Sequence, residues 1–437
     1  MTTTYDPRHP QYLDEADVRS ELTRVYDLCH GCRRCLGLCS SFPSLFEMIG
    51  RHDERDAGLL TPAQQDRVID ECFHCKLCYV NCPYTPELHA WQLDFPRLML
   101  RAEAMRHRTR QQPVRQRVTT QLLGRADLVG RAATTIAPIV NRLTGAPAGS
   151  LARRAIAVVT GVSSVRLLPP HARQRFSTWF SRRTSELAPK RQGKVTVFAT
   201  CSVEYHDTRI GKDLVRVYEH NGIECANSRA GCCGALWLHA GDHEQFAKVA
   251  KRNVEILAEE VRRGGEIVVP QPTCGFVLKH DYPDYVDGPD AVLVAEHTYD
   301  AAEYLMKVHD AADTELDTDF VGTVPEHVTY HTACHLRAQN IGRNMGLPAR
   351  DLMRLTGAEV ELVQQCSGID GMWGLRVGNE KLSIPLARQL GDRIVAAGAG
   401  AVAGDCDLAN TAVAEQTGAK PSHPIQLFAR AYGIPED

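Results

Sequence analysis

No stretch of this 437-residue chain reaches the roughly 18 consecutive apolar residues that a bilayer-spanning helix needs. The nearest run, Ala155 to Val165, is too short and follows Arg153 and Arg154. The opening MTTTYDPRHP has neither a basic stretch nor an apolar core, so no secretory signal is read there. No G-x-G-x-x-G opens a helix after a strand, which leaves flavin or NAD to another chain. The expected location is cytoplasmic, with peripheral contact on the cytoplasmic membrane left open.

Acidic residues are scarce in one segment. From Arg101 to Lys194, 19 Lys/Arg stand against 3 Asp/Glu, in a chain whose net charge is only −3. Cysteine is also missing from residues 101–192. Such an asymmetry marks a docking face for an acidic partner or an anionic membrane surface, or else a solvated, Arg-rich helical linker. Leu122, Leu123, Ala126, Leu128, Val129 and Ala132 are spaced as one helical apolar face. The nearly balanced charge of the whole chain implies no nucleic-acid partner. At 43% hydrophobic and 24% charged, the composition is that of a globular protein, and the length suits two or three domains.

Cysteine is the residue in excess, with 16. A reducing compartment argues against a disulfide framework, and the clustering argues for metal. The first run is Cys29-x-x-Cys32-x-x-Cys35-x-x-x-Cys39; the second is Cys72-x-x-Cys75-x-x-Cys78-x-x-x-Cys82-Pro83. Three cysteines two residues apart wrap one face of a cubane, while the fourth ligates the other cluster of a two-cluster ferredoxin. The expected sets are Cys29, Cys32, Cys35 and Cys82 for one [4Fe–4S] cluster, and Cys72, Cys75, Cys78 and Cys39 for the other. Zinc needs two ligand pairs rather than two triplets. Between the runs, Thr61-Pro62-Ala63-Gln64 reads as a capped helix start leading through Arg67, Val68 and Ile69 to the second run. That favours an all-helical ferredoxin module over a β-rich one.

The remainder contains an internal repeat. Val195 to Phe198 reads as a strand leading to Cys201, and Val328 to Tyr330 as one leading to Cys334. Helical stretches follow at 214–219 and 349–355. Cys232-Cys233-Gly234 matches Cys366-Ser367-Gly368, where a strand Val360–Val363 precedes. Helices are expected over 244–263 and 380–397. Glu266 to Val269 leads to Cys274, and Ala401 to Ala403 to Cys406. The offsets between paired cysteines are 133, 134 and 132, and alternating strands and helices imply parallel α/β units. Cysteines just past strand ends gather at the carboxyl edge of a sheet, where such folds place ligands. Cys201, Cys232, Cys233 and Cys274 form a four-thiol set able to hold a further iron–sulfur cluster. Cys334, Cys366 and Cys406 form a three-thiol set, for a three-iron or open four-iron cluster or as a vestige. Cys225 lies in an expected strand, 222–226, and reads as packing. His331, His335 and His423 read as ligands or proton donors, or as hydrogen-bonded structural residues.

The expected fold is multidomain, α and α/β: a helical two-cluster module over residues 1–100, a basic helical linker over 101–192, and a duplicated cysteine-rich domain over 193–320 and 321–437. The paired ferredoxin motifs followed by Cys232-Cys233-Gly234, Thr332-Ala333-Cys334-His335, Cys274-Gly275-Phe276 and His423-Pro424-Ile425 resemble the heterodisulfide reductase-related iron–sulfur (CCG-domain) proteins. That group includes the iron–sulfur C-subunit of anaerobic glycerol-3-phosphate dehydrogenase and the iron–sulfur subunits of glycolate and lactate oxidases. The resemblance implies a subunit that takes electrons from a flavoprotein and passes them to a quinone or other acceptor, rather than a stand-alone enzyme. The family motif ends each repeat in Cys-x-x-Cys; here Gly275-Phe276-Val277 and Asp407-Leu408-Ala409 lack the second cysteine, and Ser367 replaces another. These departures fit a relay better than a disulfide-cleaving centre, with a heterodisulfide or thiol reductase as the alternative. Relatives with a stretch similar to Cys82-Pro83-Tyr84-Thr85-Pro86 are also associated with rubrerythrin-linked peroxide reduction.

Overall fold

The computed structural model describes residues 5–339, 347–369, 371, 373–398 and 400–436. The described residues before Gly193 form helices and turns without a strand. Helices Glu15–Cys32, Ser41–Gly50, Pro62–Asp70 and Phe95–Arg108 enclose a core of Val18, Leu22, Tyr26, Phe42, Leu45, Val68, Leu98 and Met99, against which six cysteines of the two N-terminal runs pack. The expected capping box is present. Thr61 Oγ1 accepts from Gln64 N at 3.3 Å, and Thr61 N donates to Gln64 Oε1 at 2.9 Å, so two otherwise unpaired N–H groups are satisfied. The helix stops at Asp70, two residues short of the second cysteine run.

The single apolar face expected over 122–132 is broken. Gly124 N closes one helix on Thr120 O, and Arg125 leaves helical geometry with ψ 47°. Two helices result, Val114–Leu123 and Ala126–Thr135, and Leu122 and Leu128 are exposed. Helices Ala137–Thr144 and Leu151–Thr160 follow. The basic segment then packs back on the rest of the chain. Ser163 N donates to Leu375 O at 2.7 Å, and the fully buried Arg166 reaches Ser383 Oγ at 2.7 Å and Glu415 at 3.1 Å.

Among the described residues, seven strands build two sheets: β1 Gly193–Val197, β2 Ile223–Asn227, β3 Glu266–Val269, β4 Thr298–Asp300, β5 His327–His331, β6 Glu359–Val363 and β7 Ala401–Gly404. The orders are β2-β1-β3-β4 and β6-β5-β7, and all pairs are parallel. Each expected strand is present within two residues of its expected bounds, and the helices fall at Thr208–His220, His243–Arg262, Pro348–Leu355 and Glu380–Ala397. Cys225 is buried in β2 with no other thiol beside it among the groups that shift its acidity.

The duplication runs further than the cysteines reveal. β4 pairs with β3 and ends at Asp300, which caps helix Ala301–Asp310 in a box with Glu303. In the second copy, β4 shrinks to one parallel bridge, Ala403 to Ser422, and His423 caps helix Pro424–Ala431 in a box with Gln426. The two copies share one core: Val195, Leu214, Tyr218 and Leu305 of the first lie in the same buried cluster as Val328, Tyr330, Leu352 and Phe428 of the second. Each such side chain contributes about 1.5–3 kcal/mol by leaving water.

His423, a candidate ligand by sequence, is a structural cap. Its Nδ1 accepts from Ile425 N at 3.1 Å, and its Nε2–H donates to Pro270 O of the first copy, also at 3.1 Å. Replacing it with Ala is expected to destabilise the protein by about 1–2 kcal/mol in thermal or denaturant melts. Burial holds the folded His423 at a pKa of about 4, below its ordinary 6.5. The unfolded chain therefore binds the extra proton between those values, and stability present above 6.5 is lost as pH falls toward 4. The melting temperature of the variant should depend less on pH in that window than that of the wild type.

Candidate functional site

Parallel strands send every following loop out from one sheet edge, and there the thiols collect. In the first copy, the short helix Thr200–Tyr205 after β1 carries Cys201, the loop after β2 carries Cys232 and Cys233, and the short helix Pro272–Phe276 after β3 carries Cys274. Cys201 hydrogen-bonds to Cys232, Cys232 to Cys233, and Cys233 to Cys274. Cys232 accepts from both neighbours, which favours its thiolate. Cys201 and Cys233 are pushed well up, first by their hydrogen bonds to Cys232 and then by burial. The Cys-Cys-Gly turn needs Gly234, whose φ is +88° and whose added Cβ would meet Phe246 at 3.1 Å. Thr200, before Cys201, also has a left-handed φ of 55°, a strained geometry concentrated at functional positions.

Asn253 pins this turn from helix His243–Arg262. Its Oδ1 accepts from Gly231 N at 3.0 Å, and its Nδ2 donates to Cys232 O at 3.0 Å and Tyr282 Oη at 2.9 Å. Tyr282 Oη donates to Cys233 O at 3.0 Å. From the basic segment, Asp127 Oδ2 accepts from Cys232 N at 2.9 Å. Sequence reading missed all three residues, since only folding brings them to the turn.

The N-terminal thiols fall into two neighbourhoods. Cys29, Cys32, Cys35 and Cys82 line one cavity, floored by Phe42, Phe46 and Leu93. Burial pushes Cys29 well up, and the thiols of Cys35, Cys82 and Cys32 add to the effect. Cys78 is raised by burial and then by Cys75, Cys72, Cys39 and Cys35; Cys39, raised to about 12, has Cys75 as its nearest thiol influence after burial. Cys82 of the second run thus lines a cavity with three thiols of the first, while Cys75 of the second acts on Cys39 of the first. The residue after the second cysteine of each run is left-handed, with φ 54° at Arg33 and 64° at Lys76.

The second copy gathers Cys334, Cys366 and Cys406 with Ser367 around one cavity, and Cys75 lines it too. Gly368 N donates to Cys366 Sγ at 3.2 Å, and Tyr84 N to Cys82 Sγ at 3.4 Å. Donors of this kind stabilise sulfur carrying negative charge. His331 Nε2 donates to Gln365 O at 2.9 Å, and His335 Nε2 to His74 O at 2.9 Å; both histidines act as structural hydrogen-bonding groups here.

Among the described residues, no three His, Cys, Asp or Glu side chains converge closely enough to hold a single metal ion. The thiols instead stand around cavities, and sulfur donors of this number suit an iron–sulfur cluster. Beside Cys201, Cys232, Cys233 and Cys274 lies an apolar cavity of about 290 Å³, walled by Leu123, Val129, Val162, Leu168 and Leu375. His171 and His206 lie against each other at its wall, with ring centroids 4.4 Å apart and the planes tilted by 35°. Burial first, then His206, lowers the pKa of His171 to about 4, so it is neutral near pH 7.

The cysteine-rich domain family CCG matches residues 195–279 and 328–408. The chain carries two CCG domains. Their bounds enclose Cys201, Cys232, Cys233, Cys274, Cys334, Cys366 and Cys406. This CCG-domain chain is 28% identical over 317 residues to the C-subunit of anaerobic glycerol-3-phosphate dehydrogenase from Escherichia coli (strain K12), covering 71% of this chain and 76% of that protein. It is 29% identical over 209 residues to lactate utilization protein A 1 of Bacillus cereus (strain AH820), covering 46% of this chain and 80% of that one. No helix among the described residues is long and apolar enough to cross a membrane.

Asn253→Ala removes four hydrogen bonds at a 1% exposed position, three of them to Gly231 and Cys232 at the Cys-Cys-Gly turn. A loss of about 2–4 kcal/mol is expected in denaturant melts, with faster alkylation of Cys232 and Cys233. Unchanged alkylation would show that Asn253 does not hold the turn.

Proposed function

We propose that this protein is the iron–sulfur relay subunit of a larger oxidoreductase, carrying electrons between a flavoprotein-type dehydrogenase and a quinone or other acceptor. Cys29, Cys32, Cys35 and Cys82 hold one [4Fe–4S] cluster; Cys72, Cys75, Cys78 and Cys39 hold a second, within a helical ferredoxin-type module. Cys201, Cys232, Cys233 and Cys274 hold a further centre. The observation that supports this reading is an unbroken file of thiols. The Cys39 thiol helps to push Cys35 up, between the two N-terminal groups, Cys75 lines one cavity with Cys334, and Cys406 lines both sheet-edge cavities. One end of the file is open to solvent at Cys32, where a donor can approach. The other ends at the apolar cavity, whose size and neutral histidines suit a quinone ring. When bound, the clusters supply one-electron transfer; the chain supplies thiolates, N–H···S donors and exclusion of water.

A thiol or disulfide reductase is the second reading, favoured by the four contiguous thiols that open on the same cavity. Turnover of a disulfide by the isolated protein would support it and sink the relay. For the relay, iron and sulfide analysis of anaerobically purified protein should exceed the roughly eight irons of two four-iron clusters. Electron paramagnetic resonance during a redox titration should count the centres. In Cys39→Ala, the cluster of Cys72, Cys75 and Cys78 should be lost before that of Cys29, Cys32 and Cys35; the reverse would overturn the crossed assignment.

The basic segment supplies the docking face. Twelve of the 20 exposed large apolar side chains among the described residues lie within 114–167, which makes this face unlike the rest of the surface. Leu151, Val158 and Val159 stand out there beside the exposed Arg125, Arg131 and Arg154. Aliphatic groups interleaved with arginine suit the headgroup region of an anionic bilayer. Cosedimentation with vesicles containing anionic lipid should weaken steeply between about 0.1 and 1 M salt, as the Debye length shrinks from about 10 to 3 Å. Val158→Asp should weaken it further. Binding indifferent to both changes would overturn the assignment.

A further inference from the structure

In the first copy, four thiols form a connected set. The second copy retains only three of the four positions, with Ser367 where Cys233 stands. Its site is nevertheless bordered by four thiols. Cys334 hydrogen-bonds to Cys366 on one side and to Cys75, from the N-terminal half, on the other. Cys75, Cys334, Cys366, Ser367 and Cys406 line one cavity.

Cys75 is held there by a docked loop. Trp373 Nε1 donates to Asp70 O at 2.8 Å, and the Phe73 and Trp373 rings lie 5.2 Å apart. His335 Nε2 donates to His74 O at 2.9 Å, which leaves its Nδ1 to accept from Thr273 Oγ1 at 2.9 Å. The His74 ring stacks on His239 at 4.7 Å. His239 and Thr273 belong to the first copy, His335 and Trp373 to the second, so residues 70–76 are wedged between them. The left-handed φ of His74 and Lys76, 48° and 64°, turns the backbone around Cys75.

We propose that Cys75 completes the second CCG site as its fourth thiolate, with Cys334, Cys366 and Cys406, and that its sulfur is shared between an iron–sulfur cluster there and the cluster of Cys72, Cys78 and Cys39. This rests on the reading of these cysteines as cluster ligands. A thiolate sulfur has lone pairs for two irons, so neither cluster gives up a ligand. The second copy is then a working station of the relay, joined to the N-terminal half through a single sulfur atom.

The test uses the full chain, purified anaerobically, as wild type and as Cys75→Ala, Cys78→Ala and Cys366→Ala. Iron per chain and Mössbauer and paramagnetic resonance spectra are read for each. Cys366→Ala should lose only the second-copy centre, and Cys78→Ala only the N-terminal cluster. Cys75→Ala should lose both, with an iron content below either. His335→Ala keeps every cysteine but unseats the loop, and should reduce the second-copy signal while leaving the cluster of Cys29, Cys32 and Cys35 intact. Matching iron content and spectra for Cys75→Ala and Cys78→Ala would overturn the sharing, as would a Cys366→Ala protein identical to wild type. A wild type without N-terminal clusters would instead defeat the relay reading itself.

Discussion

All seven strands run parallel within their sheets, so the loops that follow them leave from a common edge. That constraint organises the rest of the molecule. A parallel sheet must be covered on both faces, and the helices between strands do this. The chemistry is left to the segments just past the strand ends, where residues 201, 232, 233 and 274 meet despite their separation in the chain. The second sheet repeats the arrangement. The N-terminal half then inserts residues 70–76 where the two edges face each other, through His74, Phe73 and the carbonyl of Asp70.

Burial is what makes these thiols difficult to use without a partner. Cys29, Cys78, Cys201, Cys233 and Cys334 are all held well above the ordinary thiol pKa, and in Cys29 and Cys78 burial is the leading cause. A buried thiolate needs compensating charge or N–H donors. Backbone donors of this kind reach Cys82 and Cys366, from Tyr84 and Gly368, and an iron–sulfur cluster would supply compensating charge to the buried five. The same low-polarity setting keeps His331 and His423 neutral, which suits their hydrogen bonds to the carbonyls of Gln365 and Pro270 rather than ion pairing.

Much of the α/β architecture was readable in the amino-acid order. Short β-branched runs such as 195–198 and 266–269 ended at cysteines, and long amphipathic runs such as 244–263 lay between them, because local burial patterns repeat with local periods. The capping box at Thr61 was likewise local. The basic segment was less legible. Its apolar spacing continued smoothly across Gly124 and Arg125, while the backbone did not, and its exposed Leu122 and Leu128 face away from the core. Contacts across the chain were not readable: Asp127 on the Cys232 amide, Asn253 and Tyr282 beneath the Cys-Cys-Gly turn, and Cys75 beside Cys334. None has a spacing rule, since each depends on how separate elements dock. The fourth element of the repeat was hidden for another reason. A single bridge at Ser422 and a histidine in place of an aspartate cap leave little in common between the letters of the two copies.

The core shared by the two copies carries a consequence for folding. Val195, Leu214 and Tyr218 of one bury against the same cluster as Val328, Leu352 and Phe428 of the other, and helix Thr208–His220 lies directly on helix Pro424–Ala431. Either copy alone would leave that apolar face in water. The two copies therefore melt as one cooperative unit rather than as independent domains.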